Sequence, residues 1–475
     1  MLPTAEQWCH RAAPLGGGLE EETPVKTRRL QVRTLVGAVA VVALTALSLQ
    51  GCAVVNGSGD DPNTLRVMMG ADTTYPKERK QWQRETAAEF KRTTGADIQW
   101  ETYSSAQEEL TAIQTSVISG QGPDVYAIGT TFTPTAYATG AFVEMGTKEW
   151  EAIGGKDQFD PASFGISGPS ASKQIGIPFA SRPFVMAVNK DLLAKAGITD
   201  MPTTWDELTA DAKATTGDGR HGMAIAYADG FDPWKFLWGM AQNAGNTIVD
   251  GSKAEIDSEA VENAYRTYFD WVTKDGVVDP AAIGWNNAQA LAQFTEGKAA
   301  FFPMTTTTAI NSFQDTKVDG KYEFALLPTV PPGATERPSD GIEAASILSG
   351  DNWVVADYGT KQELSFAFVK QLSAPKAQLE YYDLFGNLPT NASAAADLAA
   401  DNPQLKPIID AGRLSKPTAF TGAWSDIQLA LVDVVVQSIP SLKSGEVTDD
   451  QLRKRLQDAQ KDAQATLDRQ KNGGL

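Results

Sequence analysis

Few residues in this chain could do covalent chemistry. It holds two His and two Cys, and one of each, Cys9 and His10, lies close to the amino terminus. His221 sits in the turn-like Gly219-Arg220-His221-Gly222. The usage argues against a disulfide scaffold and against Cys/His zinc sites. There is no Gly-x-x-x-x-Gly-Lys-Ser/Thr loop, no Gly-x-Gly-x-x-Gly after the first strand, no His-Glu-x-x-His and no Gly-x-Ser-x-Gly. The 59 Asp and Glu would allow a glycosidase-like carboxylate pair, but nothing local marks one.

The more telling residues are aromatic. The chain has 11 Trp, 11 Tyr and 19 Phe, and several Trp stand beside Asp or Asn. These are Asp232-Pro233-Trp234, Trp285-Asn286-Asn287, Asp351-Asn352-Trp353 and Trp424-Ser425-Asp426. A Trp ring offers a flat apolar face. Sugar rings carry a C–H face that stacks on such a surface. Their edge hydroxyls match the paired acceptors and donors of Asp, Asn and Arg. Each of these Trp could equally serve core packing.

Length and composition set the frame. A chain of 475 residues holds two or three domains at roughly 100–200 residues each. With 21% charged and 42% hydrophobic residues it is globular. The net charge of −18 argues against nucleic acid as a partner, since phosphate binding relies on Lys and Arg.

The amino-terminal fifty residues read as an address. Basic Lys26 to Arg33 precedes an apolar run of 15 residues, Leu35 to Leu49. Spanning a bilayer takes about 20 residues, so this is a signal-peptide core. It ends in Leu49-Gln50-Gly51-Cys52, which resembles a bacterial lipobox whose Cys52 is acylated and becomes the new amino terminus. Glu20-Glu21-Glu22 and the Gly run before it do not suit a leader, so the expected true start is near Val25. Residues 1–51 are thus expected to be the leader, with an over-extended start. Residues 52–62, with Gly57-Ser58-Gly59, are a lipidated tether. The expected address is the outer face of the cytoplasmic membrane.

Along the rest of the chain, strands alternate with helices. Thr64 to Met69 alternates as a strand, and Trp82, Thr86 and Phe90 share one face of a helix over Pro76 to Thr94. Asp97 to Thr102, Ser105 to Ser119 and Val125 to Ile128 continue the pattern. This β-α-β-α-β order predicts a mainly parallel sheet covered by helices. Ile175 to Phe179 and Phe184 to Val188 are short apolar runs, and Thr204 to Glu207 has capping-box spacing. Further elements are strands at Met223 to Ala226, Lys298 to Phe302 and Trp353 to Ala356, with helices at Pro233 to Asn243, Ser258 to Val272 and Ala290 to Glu296. Beyond Lys361 helices dominate.

Five segments, in order, resemble the extracellular solute-binding proteins of bacterial sugar ABC importers, the group that includes maltose-binding protein. They are Gly120-Gln121-Gly122-Pro123-Asp124-Val125; Asn189-Lys190-Asp191-Leu192-Leu193 with Pro202-Thr203-Thr204-Trp205-Asp206-Glu207-Leu208; Phe294-Thr295-Glu296-Gly297-Lys298-Ala299-Ala300-Phe301; Ala367 to Leu372; and Leu388-Pro389-Thr390. The resemblance covers nearly the whole chain after the tether. The chain departs from the pattern at Val188, where Tyr is usual, and at Met304, where several sugar binders carry an aromatic.

The resemblance implies an α/β fold of two periplasmic-binding-protein-like lobes, with hinge crossovers and a helical C-terminal region. The lobes would be 63–181 with 347–400, and 182–346 with 401–475. It implies a non-enzymatic protein that needs no cofactor or metal. A carbohydrate, a di- or oligosaccharide, would sit in the cleft, and the partners would be permease subunits and the membrane through the lipid anchor. A monomer is expected. A secreted carbohydrate-active enzyme, or the same fold holding a non-sugar solute, remain the alternatives. The first crossover should fall near Pro178 to Arg182. The positions expected to touch ligand are Asp72, Asp124, Tyr126, Arg182, Trp238, Trp285, Met304, Asn352, Trp353 and Trp424. Asp124 and Tyr126 enter through the rule that α/β crevices form at the carboxyl edge of the strands.

Overall fold

Alternation builds the first sheet. In the strand Thr64–Gly70 every second residue, Leu65, Val67 and Met69, is buried. The helix Pro76–Thr94 then covers that face with Trp82, Thr86 and Phe90 at four-residue spacing. Pro76 opens it, where the missing N–H costs nothing, and Gly95 closes it at φ +80°, a conformation that favours glycine. Strand Asp97–Tyr103 follows, then helix Ala106–Ser119, capped by the Ser105 side chain accepting from Glu108 N–H. Strand Val125–Gly129 completes the unit. The computed structural model describes residues 61–230 and 232–471. The expected leader, the expected acylation at Cys52 and most of the expected tether lie outside these residues.

The first sheet has six strands in the order Leu388–Pro389, Ile177–Ser181, Gly350–Val355, Val125–Gly129, Thr64–Gly70, Asp97–Tyr103. The three β-α-β strands are parallel, as their connecting helices require. The sheet as a whole is mixed, not mainly parallel. Gly350–Val355 enters antiparallel between Val125–Gly129 and Ile177–Ser181, and Leu388–Pro389 pairs antiparallel at the edge. These late strands come from distant chain, so no local β-α-β pattern announces their direction.

The chain leaves this sheet after Ser181 and enters a second at Val185–Asn189. That sheet runs Tyr322–Ala325, Val185–Asn189, Ala299–Thr305, His221–Met223. Between Val185 and Ala187 the pairing with Ala299–Thr305 skips one extra residue, a β-bulge, and Met304 beside it adopts φ +56°. The chain crosses back after Ala325 to reach Gly350, and a third time after Pro389.

Helices pack both sheets. The first sheet's core joins Trp353, Phe179, Phe368, Trp82 and Tyr381, with Phe179 and Trp353 ring centroids 4.5 Å apart. The second lobe's core is larger and gathers Trp205, Trp238, Trp271, Tyr268 and Trp424. Leu398 of helix Ala392–Asp401 packs with Val185 and Phe302 of the second sheet. Helix Lys406–Arg413 and strand Tyr322–Ala325 lie where the sequence pattern was silent. His221 opens a strand rather than sitting in a turn. No helix among the described residues is long and apolar enough to cross a membrane.

The capping box at the helix Trp205–Thr215 is complete. Thr204 Oγ1 accepts from Glu207 N–H at 2.9 Å, and Glu207 Oε2 accepts from Thr204 N–H at 3.0 Å. Thr204→Ala should lower folding stability by about 1 kcal/mol. Urea denaturation checks this, and an unchanged midpoint would remove the cap from the account.

Candidate functional site

The carboxyl ends of three parallel strands meet in one place. Gly70, Tyr103 and Gly129, the last residues of their strands, all line a cavity of about 340 Å³. Residues of the second lobe close it from the other side: Trp234 and Lys235 from helix Pro233–Asn243, Thr308, and Gln428 from helix Trp424–Lys443. The floor is made by the crossovers themselves, through Arg182, Ser349 to Asp351 and Asn387.

Two guanidinium–carboxylate pairs organise this cavity. Arg182 meets Asp351 in a two-pronged pair, Nη1 to Oδ2 and Nη2 to Oδ1, each 2.6 Å. Arg182 Nη1 also donates to Asn387 Oδ1 at 3.1 Å. Such a fork fixes the plane of both groups. Attraction to Asp351 raises the Arg182 pKa despite the opposing effect of burial, so it is charged at any working pH. The second pair is Arg79 Nη2 with Asp72 Oδ2 at 3.2 Å. Arg79 also donates to the Tyr381 hydroxyl at 3.0 Å, and its guanidinium lies 4.3 Å from the Phe385 ring centroid. Asp72 Oδ1 accepts from the N–H groups of Thr74 and Tyr75 at 3.0 and 2.7 Å, folding the loop after the first strand.

A third carboxyl behaves differently. Glu109 faces the cavity from helix Ala106–Ser119, yet it is 3% exposed. Its Oε1 accepts from Gly129 N–H at 2.9 Å. Burial, with a smaller contribution from nearby Asp351, pushes its pKa up to about 8. The Tyr103 phenol beside it sends its own hydrogen to Ala127 O at 3.0 Å.

Of the ten positions singled out from sequence, the cavity brings together Asp72 and Arg182. The other eight lie elsewhere. Asp124 precedes its strand, at the amino end opposite the cavity, where Oδ2 accepts from Arg66 N–H at 2.8 Å and stands 3.5 Å from Lys361 Nζ. Tyr126 is buried, its hydroxyl 2.5 Å from that of Tyr358. The crevice rule was sound, but it points to Gly129 at the far end of that strand. Trp238 and Trp353 are buried core residues, and Trp285 packs half-buried against the second lobe's core. Asn352 donates to Thr133 Oγ1 at 3.0 Å inside the protein. Its neighbour Asp351 faces the cavity instead. Met304 is buried beside the bulge.

Trp424 is fully buried, and its ring stands 6.0 Å from Trp234 in a T-shaped contact. It backs the ring that lines the cavity. Trp234 carries the Asp-neighbour pattern noted in the sequence. Asp351 stands in the Asp351-Asn352-Trp353 pattern noted in the sequence, while Arg79, Glu109 and Tyr381 carry no local signal and reach the cavity through topology alone.

Comparison with known proteins places this geometry. The pattern describing bacterial extracellular solute-binding proteins matches residues 74–379. The chain is 27% identical to the diacetylchitobiose binding protein DasA of Streptomyces coelicolor over 352 residues, 72% of this chain and 75% of that protein. It is also 27% identical to a putative binding protein of Brucella abortus over 228 residues, 44% of this chain, and spans about half (53%) of that relative's length. Among solved structures, it is similar to a solute-binding protein from Thermotoga lettingae bound with α-D-tagatose. That likeness has a TM-score of 0.70 at 18% identity, covering 85% of this chain and 100% of the other. The GacH receptor of Streptomyces glaucescens, solved unliganded and with acarbose, gives a TM-score of 0.67 at 21% identity, covering 84% and 99%. With the two-lobe fold in common and the family pattern over more than half its length, the chain belongs to the bacterial extracellular solute-binding proteins.

Proposed function

We propose that this protein captures a carbohydrate in the cavity between its lobes and delivers it to the permease of an ABC importer. One observation carries the reading. Two guanidinium–carboxylate pairs, the two-pronged Arg182–Asp351 and the single-contact Arg79–Asp72, stand beside Tyr381 and Phe385, across from Trp234 and Gln428 of the other lobe. The lining rings show the cavity only a small part of their surface, Trp234 and Tyr381 being 4% exposed and Phe385 1%, and the pairs keep unused donor and acceptor positions for sugar hydroxyls. Contacts from both lobes give ligand a differential affinity for the closed form, as closure requires. DasA, which by its name binds diacetylchitobiose, supports the same class.

Capture fits better than hydrolysis. A glycosidase needs one carboxylate free to act as base or nucleophile. Here Asp351 is engaged on both oxygens by Arg182, and Asp72 by Arg79 and two backbone N–H groups. Acylation of Cys52, tethering the body to the outer face of the cytoplasmic membrane, belongs to the same proposal, and the lipobox-like Leu49-Gln50-Gly51-Cys52 supports it.

Thermal unfolding of the purified protein against mono-, di- and oligosaccharides tests this. A ligand at about 100 times its dissociation constant adds about 2.7 kcal/mol of stability. The expected result is a shift with at least one sugar and no new product by chromatography. Product formation would make the protein an enzyme. A shift with peptides or polyamines and none with sugars would overturn the carbohydrate assignment.

A further inference from the structure

The loop that Asp72 folds does more than line the cavity. Its last residue, Tyr75, reaches across to the other lobe. The Tyr75 hydroxyl donates to Thr308 O at 2.5 Å and lies 3.0 Å from Ser312 Oγ. With its hydrogen committed to Thr308, it accepts from Ser312. Tyr75 and Thr308 both line the cavity, so this bridge is one of its walls. Just outside, Asn311 Nδ2 donates to Asp383 O at 3.1 Å, a second link between the same two lobes.

Contacts on a second flank also join the lobes. Thr135 Oγ1 stands 2.8 Å from Gly422 O and 2.7 Å from Ser425 Oγ, and the Tyr137 and Phe420 ring centroids are 5.7 Å apart. Ser425 lies one helical turn before Gln428, which lines the cavity. The space between the two flanks, about 340 Å³, is at the low end of the roughly 300–1,000 Å³ common for ligand pockets.

We infer that Tyr75 is a latch joining the lobes at one end of the cleft, and that this closure restricts the ligand to one or two sugar rings. The length limit rests on the carbohydrate reading; the latch does not. The latch is also wired to the ligand. Asp72 holds Tyr75 N–H and the Arg79 guanidinium at once, so a hydroxyl that engages this pair also fixes the loop that carries the latch. A longer saccharide that runs out past Tyr75 would have to break the bridge to do so.

The test uses the purified full chain, Tyr75→Phe and Tyr75→Ala. The phenylalanine variant keeps the ring, so it separates the hydroxyl bridge from packing. Small-angle scattering without ligand should show a larger radius of gyration for both variants than for the parent. An unchanged radius in both would overturn the latch. Calorimetric titration would follow with the mono- to tetrasaccharides of the glucose and N-acetylglucosamine series. The parent should prefer one or two rings and lose about tenfold in affinity or more at three, and Tyr75→Ala should remove most of that loss. Parent affinity that holds or rises from two rings to four would overturn the length limit. A radius shift with no saccharide bound would leave the latch standing and remove both the carbohydrate reading and the length limit.

Discussion

Replacing Arg182 with Ala should abolish ligand binding and lower folding stability by about 3 kcal/mol. The reason is the company Arg182 keeps. Its fork holds both Asp351 oxygens at 2.6 Å and reaches Asn387 from the strand-edge segment after helix Pro375–Phe385. Arg182 and Asp351 side chains are 26% and 20% exposed, so the pair is neither a solvated surface bridge nor a dry one. The low end of the range for breaking a buried pair therefore applies. Removing the guanidinium strips both Asp351 oxygens of their partner at a part-buried site beside Glu109. Arg182→Lys should restore charge without the planar fork and recover stability better than binding. Denaturant melts and calorimetry read the two effects separately. A stability change in Arg182→Ala below about 1 kcal/mol, the scale of an exposed ion pair, would show that this crossover is not held by the fork.

Glu109 should make the protein less stable as pH rises from about 5 to 8, and Glu109→Gln should remove much of that slope. The carboxyl titrates near 8 when folded, against an ordinary 4.5. Between those values the folded chain keeps a proton that the unfolded chain has released. Stability therefore falls as pH rises through the window, by up to about 1.4 kcal/mol per unit from this group. Its contribution is fully present below the unfolded value and lost once pH passes the folded one. A glutamine at 109 can still accept from Gly129 N–H, with nothing to ionise. Measured against the parent, Glu109→Gln should gain a few kcal/mol between pH 5 and 8 and no more above pH 9. Parallel stability curves for the two proteins would mean that Glu109 is ionised in the fold.

Much of the scaffold could be read from residue order. The four-residue spacing of Trp82, Thr86 and Phe90, the Thr204 capping box, and the helix Pro233–Asn243 all stand where pattern placed them. These are local signals, and local physics settles them. The cavity was less legible because it is a property of topology. Asp351 and Asn352 are neighbours, but a register irregularity in the pairing with Ile177–Ser181 falls between them, and one faces ligand space while the other is buried. Trp353 and Trp424 have the composition of a sugar platform and the burial of a core. Residue type alone does not separate those cases, since both want a large flat apolar ring. Arg182 was reachable because a crossover position constrains where a side chain can point.

The strand Gly350–Val355 also bears on how the protein is made. It fills the gap between Val125–Gly129 and Ile177–Ser181, and both neighbours precede it by well over a hundred residues. Until that strand emerges, each of them has an open edge where it will sit. The first lobe therefore cannot close its sheet during early synthesis, however stable its β-α-β unit. Loop closure over such a distance is slow, so the finishing step should limit the folding rate. The nascent chain stays unfinished until most of its length exists. Any binding partner that holds unfolded segments has that whole interval in which to act.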